Sequence, residues 1–153
     1  YGVLYNWPAA MAGSASSNAN PSGVQGICPD GWHLPSDAEW KQLEMYLGMS
    51  ETDVNSTGWR GTVEGGKLKE AGTTHWADPN AGANNESGFT ALPGGYRYYN
   101  GYFNDISYDG YWWSSTEFNT FTAWDRGLSY DNSLVSRYSD VKSMGFSVRC
   151  LRD

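Results

Sequence analysis

The sequence predicts an α+β fold with one strand at the start, one or two helices next and several short antiparallel strands after them. Three observations support this prediction. Helix capping residues flank an amphipathic stretch between positions 36 and 48, turn residues dominate positions 74–95, and aromatic or β-branched runs between turns fill the rest. The 153 residues contain no linker-like stretch, so we expect a single domain over residues 1–153.

The first elements are a strand and a loop. Residues 1–7 contain Tyr, Val, Leu and Tyr, which favour a strand, and residues 12–26 are rich in Ser, Asn and Gly, which favour an irregular loop.

A helix is predicted from about Asp37 to Leu47. Ser36 is a strong N-cap residue, Glu39 completes a capping box, and Gly48 follows the last turn. Three apolar side chains then share one face of the helix: Trp40, Leu43 and Leu47. This spacing is typical of a helix that packs on a sheet.

The middle of the chain is predicted to contain a shorter second helix over residues 66–71, followed by loop over residues 74–95 with a brief strand at residues 89–92. The last third is strand-like. YRYYNGYF predicts a hairpin that turns at Asn100 and Gly101, and GYWWSST, AWDRGLSYD and GFSVRCLRD predict further strands.

Charge and hydropathy exclude several classes of partner. Ten basic and seventeen acidic residues give a net charge of −7, which disfavours nucleic acid and anionic lipid surfaces. No apolar run approaches the roughly 20 residues that a membrane span needs, and the first residues lack the pattern of a signal peptide.

Cys28 and Cys150 are the only cysteines, so the chain has no CxxC metal or redox motif. Either they form one long-range disulfide, which would indicate an oxidising compartment, or they are two buried thiols. The Gly, Asn and Trp-rich composition favours the disulfide.

The residues offer no clear catalytic constellation. A GxSxG elbow is absent, and neither Glu39 with Glu44 nor Asp105 with Asp109 stands out as a buried acid–base pair. His33 beside the helix is expected to have a structural role, and His75 is expected on a loop surface. We therefore expect no enzyme activity and no cofactor. ADPNAGANNE and FNDISYDG are candidate calcium loops without EF-hand spacing, so a metal site is left open.

The segment from Trp112 to Cys150 carries the most information about function. If AWDRGLSYD is a strand, alternation places Trp124, Arg126, Leu128 and Tyr130 on a core-like face and Asp125, Gly127, Ser129 and Asp131 on a small, polar face. The flanking stretches mix aromatic, hydroxyl and acidic residues as antibody paratopes do. An ordinary solvated strand face is the alternative interpretation.

Four separated motifs resemble the domain family named after Fibrobacter succinogenes major paralogous proteins: GICPDGWHLPSDAEW, NESGFTALPGGYR, GYWWSSTE and GFSVRCLRD. The resemblance covers nearly the whole chain. It implies a C-type-lectin-like fold with long loops, a Cys28–Cys150 bridge between terminal strands, and a secreted, cell-surface or phage-virion location. The reactive cysteine pair of formylglycine-generating enzymes and the sugar-binding motifs of animal lectins are both missing.

The resemblance extends to variable proteins of diversity-generating retroelements, in which mutation of adenines diversifies a C-terminal stretch. It implies diversified, ligand-binding positions at Phe118, Thr120, Phe121, Asp125, Gly127, Ser129, Asp131, Leu134, Ser136, Tyr138, Ser139, Asp140 and Val141. The fixed framework would then be Trp124, Arg126, Leu128, Tyr130, Val135 and Arg137.

The leading hypothesis is a non-catalytic, retroelement-diversified receptor-binding domain that recognises a protein or glycan through its C-terminal face. Phe118, Phe121 and Tyr138 would be the anchors. The alternative is a fixed-specificity carbohydrate-binding adhesin module that uses Trp76, Tyr98, Tyr99 and Trp113. An enzyme derived from the formylglycine-generating scaffold and a purely structural fibre module are further alternatives.

Overall fold

The computed structural model describes residues 1–153, and it contains four short helices and eight strands. The helices are α1 (Trp7–Met11), α2 (Asp37–Tyr46), α3 (Glu51–Asn55) and α4 (Glu64–Leu68). The strands are β1 (Trp32–His33), β2 (Gly58–Arg60), β3 (Gly94–Arg97), β4 (Phe103–Ile106), β5 (Asp109–Glu117), β6 (Thr122–Ser129), β7 (Val135–Val141) and β8 (Leu151–Arg152).

Six strands form one sheet in the order β2-β7-β6-β5-β3-β4, and β1 pairs with β8 in a separate ribbon. All pairings are antiparallel except the single parallel bridge between β3 and β5. Segregated short helices and a mixed sheet confirm the α+β prediction.

Helix α2 begins and ends within one residue of its predicted bounds. Ser36 Oγ accepts a hydrogen bond from Glu39 N at 3.2 Å, and Glu39 Oε2 accepts one from Ser36 N at 2.9 Å. These two bonds are the predicted capping box, which satisfies backbone donors that the first helical turn leaves free.

The predicted first strand is wrong. Residues 1–7 contribute only an isolated bridge between Tyr5 and Phe146, and the chain then turns into α1. Asn6 caps this helix by accepting a hydrogen bond from Ala9 N at 2.9 Å, and Pro8 occupies its first turn. An Asn cap followed by Pro favours a helix start over continued strand pairing.

Two middle elements also differ from prediction. The helix predicted over residues 66–71 corresponds to α4, which ends at Leu68 because Lys69 leaves the helix to form a bridge with Ala91. That bridge is the only pairing made by the strand predicted at residues 89–92. The hairpin around Asn100 and Gly101 is confirmed as β3 and β4.

Two hydrophobic clusters lie on opposite faces of the sheet. Trp113 and Ala123 belong to one cluster, and Trp112 and Leu128 belong to the other. Because consecutive strand residues point to opposite faces, the Trp112–Trp113 pair supplies both clusters from one strand.

A disulfide joins Cys28, just before β1, to Cys150, just before β8, as the sequence favoured. The longest helix, α2, has ten residues, and none of the four helices could span a lipid bilayer.

Candidate functional site

The pairing of β6 with β7 decides where the predicted binding residues lie. Residues directly opposite each other on antiparallel strands share a face. Asp125 lies opposite Tyr138, and Gly127 lies opposite Ser136, whereas Trp124 lies opposite Ser139. The predicted positions of β7 are therefore divided between both faces of the sheet, which corrects the expectation of a single binding face.

The face that contains Trp124 packs against α2 through a buried ionic network. Arg137 donates to both carboxylate oxygens of Asp37, at 2.8 and 2.7 Å, and Arg126 Nη1 lies 2.8 Å from Asp37 Oδ1. Arg126 Nε also donates to Glu44 Oε1 at 2.6 Å, and Arg60 donates to both oxygens of Glu44 at 2.9 Å. This network ties three strands to one helix.

The charges of the network control the ionisation of Asp37. Burial acts to raise its pKa, but the hydrogen bond from Arg137 and the charge of Arg126 outweigh burial and hold the pKa well below its usual range. Asp37 is therefore a structural anion. No local sequence pattern predicts these pairs, because their members are separated by 16 to 100 residues.

Trp124 connects the network to the surface. The Arg137 guanidinium lies 3.6 Å from the centre of the Trp124 ring, and the Phe118 ring packs edge-on against Trp124 at 4.9 Å. Trp124 therefore holds the Phe118 ring in position, although the Phe118 side chain is 56% exposed.

The opposite face carries Asp125, which is only 1% exposed. Neither of its carboxylate oxygens accepts a hydrogen bond of normal geometry. Burial, followed by the charge of neighbouring Asp140, raises the pKa of Asp125 well above that of an ordinary aspartate, and burial also raises the pKa of Asp140. Each of the two carboxyl groups therefore binds a proton more readily than an ordinary aspartate does.

Four of the predicted contact residues are not accessible, namely Asp125, Gly127, Ser129 and Ser136. At Gly127 a Cβ would lie 2.4 Å from Ser136 Oγ and 3.1 Å from the Tyr111 ring, so a side chain there would collide with Ser136. The expectation of an open polar face along β6 is therefore corrected, because side chains of the neighbouring strands cover it.

The other nine predicted residues reach solvent. Phe118, Thr120, Phe121, Asp131, Tyr138 and Val141 are exposed, and Leu134, Ser139 and Asp140 are half-buried. Four of them surround the turn between β5 and β6, and we call this set the turn surface: Phe118, Thr120, Phe121 and Val141.

Hydrogen bonds hold the turn surface in place. Asn119 Oδ1 accepts from Phe121 N at 2.8 Å and from Thr122 N at 3.0 Å. Lys142 N donates to Phe121 O at 3.0 Å, and its ammonium donates to Thr120 O at 3.0 Å. A shallow groove of about 420 Å³ runs beside the turn, where Thr120, Phe121 and Val141 line it together with Asn6 and Pro8.

The residues of the alternative carbohydrate hypothesis are divided in a similar way. Trp76 and Trp113 are core residues with no accessible ring face, which corrects their expected exposure. Tyr98 and Tyr99 are exposed, and their ring centres lie 4.3 Å apart.

The acidic and histidine candidates have structural partners. His33 lies between Glu39 and Asp153, His75 Nδ1 contacts both carboxylate oxygens of Glu70, and Glu44 binds the arginine network. No group of three or more His, Cys, Asp or Glu side chains is arranged to hold a metal ion. In the first candidate calcium loop the Asn80 amide donates to two backbone carbonyls, Glu70 O and Gly72 O.

The fold and site together define an α+β protein with an ion-paired sheet and an exposed apolar turn. The sequence model of the Fibrobacter succinogenes major domain family matches residues 1–152, so the chain belongs to this family. Neither the comparison with curated proteins nor the comparison with solved structures finds a match.

Proposed function

We propose that this chain is a non-catalytic ligand-binding display domain with a C-type-lectin-like fold, a single domain over residues 1–153. It binds a protein or glycan on a target surface through the turn surface and the adjacent exposed side chains of β7. A retroelement diversifies these positions, and the domain acts at a bacterial surface or on a phage tail.

The exposure of large apolar side chains at one turn of the sheet carries the proposal. Phe121 is 76% exposed and Phe118 is 56% exposed. Thr122, next to Phe121, lies opposite the exposed Val141, and Phe118 N donates to Thr122 O at 3.1 Å. Clustered apolar side chains on a fixed backbone are typical of interaction sites, whereas single exposed ones are common everywhere.

The arrangement of buried and accessible residues supports diversification. Arg126, Leu128, Val135 and Arg137, all assigned to the framework, are buried. The nine accessible positions can change side chain without entering either hydrophobic cluster. The proposal therefore keeps those nine and omits the four buried positions.

The disulfide supports an extracellular location. Disulfides persist in secreted and surface proteins and are rare in reducing compartments, and this bridge encloses most of the chain.

A randomised library tests whether the surface can act as a display site. The nine accessible codons are randomised, the library is displayed on yeast, and hen lysozyme is the selection target. We expect folded binders, and we expect these binders to lose affinity when the residues selected at positions 118 and 121 are changed to Ser. A library that yields only unfolded clones, or no binder above the parent, contradicts the proposal. A matched library at exposed positions of α2 and α3 is the control.

A fixed carbohydrate-binding module is the second candidate, and the exposed Tyr98–Tyr99 pair favours it. Adjacent aromatic rings can stack on sugar faces. A glycan array probed with the wild type and with a Tyr98→Ser/Tyr99→Ser variant separates the candidates. Binding to a narrow sugar class that the double variant loses supports the second candidate, whereas uniform silence, or binding that the double variant keeps, contradicts it.

A further inference from the structure

A wide groove lies between α2 and the β1–β8 ribbon, and it shares no lining residue with the turn surface. Its volume is about 800 Å³, within the range of about 300–1,000 Å³ that small-ligand sites occupy. We call it the ribbon groove. None of the functions considered above uses it.

The base of the ribbon groove is fixed by His33. Its Nδ1 contacts Asp153 Oδ1 at 2.6 Å, and its Nε2 contacts Glu39 Oε1 at 2.8 Å. The second oxygen of Glu39 accepts backbone hydrogen bonds from Ser22 and Ser36. His33 and Glu39 are both buried, so the base is a built polar network rather than a loose surface cleft.

Two aromatic side chains stand at the ribbon groove without aromatic partners. Trp32 in β1 is 40% exposed, and Tyr46 at the end of α2 is 85% exposed. Neither ring packs on another aromatic ring in the structure. The exposed part of each ring can therefore stack on the apolar face of a ligand.

Side-chain amides supply the polar contacts. The Asn20 amide donates to Gln42 Oε1, which leaves Asn20 Oδ1 as an acceptor and Gln42 Nε2 as a donor at the groove. A neighbouring donor and acceptor suit vicinal hydroxyl groups, since each hydroxyl can both donate and accept.

The ionisable groups of the ribbon groove balance one another. Two acids, Glu39 and Asp153, face two bases, His33 and Arg152. Burial acts to lower the pKa of His33, but the hydrogen bonds to Asp153 and Glu39 outweigh burial and raise the pKa above its ordinary value. In a molecule of net charge −7, this local balance suits an uncharged ligand.

We propose that the ribbon groove binds a neutral oligosaccharide, which stacks on Trp32 and Tyr46 and forms hydrogen bonds with the amides of Asn20 and Gln42. This site is separate from the turn surface. The chain would then hold two sites, one for a glycan and one for the displayed ligand.

Titration with neutral hexasaccharides tests the proposal. Cellohexaose, xylohexaose, mannohexaose, maltohexaose and chitohexaose are titrated into the intact chain, with calorimetry and tryptophan fluorescence as readouts. We expect at least one to bind, and we expect Trp32→Ala and Tyr46→Ala each to weaken binding by at least about tenfold.

Matched variants make the result specific. Trp59→Ala removes a tryptophan that is also 40% exposed but lies in β2 outside the ribbon groove, and it should leave affinity unchanged. Phe121→Ser should also leave affinity unchanged, so failure of this site and failure of the turn surface remain distinguishable. Tyr46 is so exposed that its replacement keeps the test valid even if Trp32→Ala fails to fold.

Three outcomes would overturn the proposal. One is that no hexasaccharide binds at millimolar concentration. Another is that binding occurs but Tyr46→Ala does not weaken it. The third is that a peptide library, rather than any sugar, shifts the tryptophan fluorescence of the wild type and not that of the Trp32→Ala variant.

Discussion

Asp125 combines complete burial with a carboxyl group that accepts no hydrogen bond of normal geometry. It lies in the middle of β6, opposite Tyr138, and beside the carboxyl group of Asp140. Ionising such a group costs free energy because water cannot solvate it. Asp125 therefore makes the stability of the sheet depend on pH.

Replacement of Asp125 by Asn should change that dependence. Since the pKa of Asp125 is raised in the folded chain, its favourable contribution is complete below the unfolded value of about 3.8 and is lost as pH rises through the folded value. As pH rises from 4 to 8, we expect the free energy of unfolding of Asp125→Asn to increase by at least about 1 kcal/mol relative to that of the wild type. Urea denaturation at several pH values measures this difference.

Asp78→Asn is the control, because Asp78 is exposed and lies far from β6 in the sequence. An Asp125→Asn curve that runs parallel to the wild-type curve at all pH values would contradict the burial argument.

At the residue scale, alternation within β6 was predictable but solvent access was not. The period of two correctly separates Asp125 and Gly127 from Trp124 and Arg126. Whether a strand face is open depends on what packs over it, and here Ser136 and Tyr111 on the two neighbouring strands lie over Gly127. No local pattern contains that information.

Helix α2 is the element that connects local sequence signals with tertiary electrostatics. Its start was predictable because Ser36 and Glu39 are three residues apart and bond to each other. Its partners were not, because Asp37 and Glu44 bind arginines on three separate strands. Only the folded sheet brings those strands together.

Replacement of Glu44 by Gln should strongly destabilise the fold. Glu44 is fully buried, and its loss of charge leaves Arg60 and part of the Arg126 charge uncompensated. We expect a loss of about 3–5 kcal/mol in the free energy of unfolding, measured by urea denaturation at neutral pH. Glu51→Gln at the exposed start of α3 should change it by less than about 0.5 kcal/mol. A small effect of Glu44→Gln would mean that the ion pairs of Glu44 with Arg60 and Arg126 contribute little to the free energy of unfolding.

The whole molecule is held together by a sheet with a hydrophobic cluster on each face and by one long-range covalent link. The disulfide joins residues 122 positions apart, so it restricts most of the unfolded chain. The fold class could be read from the order of helix and strand signals. The strand order could not, since β2 lies beside β7 and β3 lies parallel to β5.

Removal of the disulfide should lower stability without changing the fold. We expect Cys28→Ala/Cys150→Ala to lose about 4–5 kcal/mol in the free energy of unfolding on the chain-entropy model. Thermal and urea denaturation measure the loss. A reducing agent should destabilise the wild type to a similar extent and leave the double variant unchanged. Equal stability with and without the bridge would show that the unfolded chain is already restricted by other means.

Sequencing of the encoding locus tests the proposed display function most directly. We expect a near-identical repeat beside a reverse transcriptase gene, differing mainly at adenines in the codons of the nine accessible positions between Phe118 and Val141. The codons of the buried Arg126, Leu128, Val135 and Arg137 should be unchanged. Absence of such a repeat, or variation that falls on those four buried codons, would contradict a diversified binding surface.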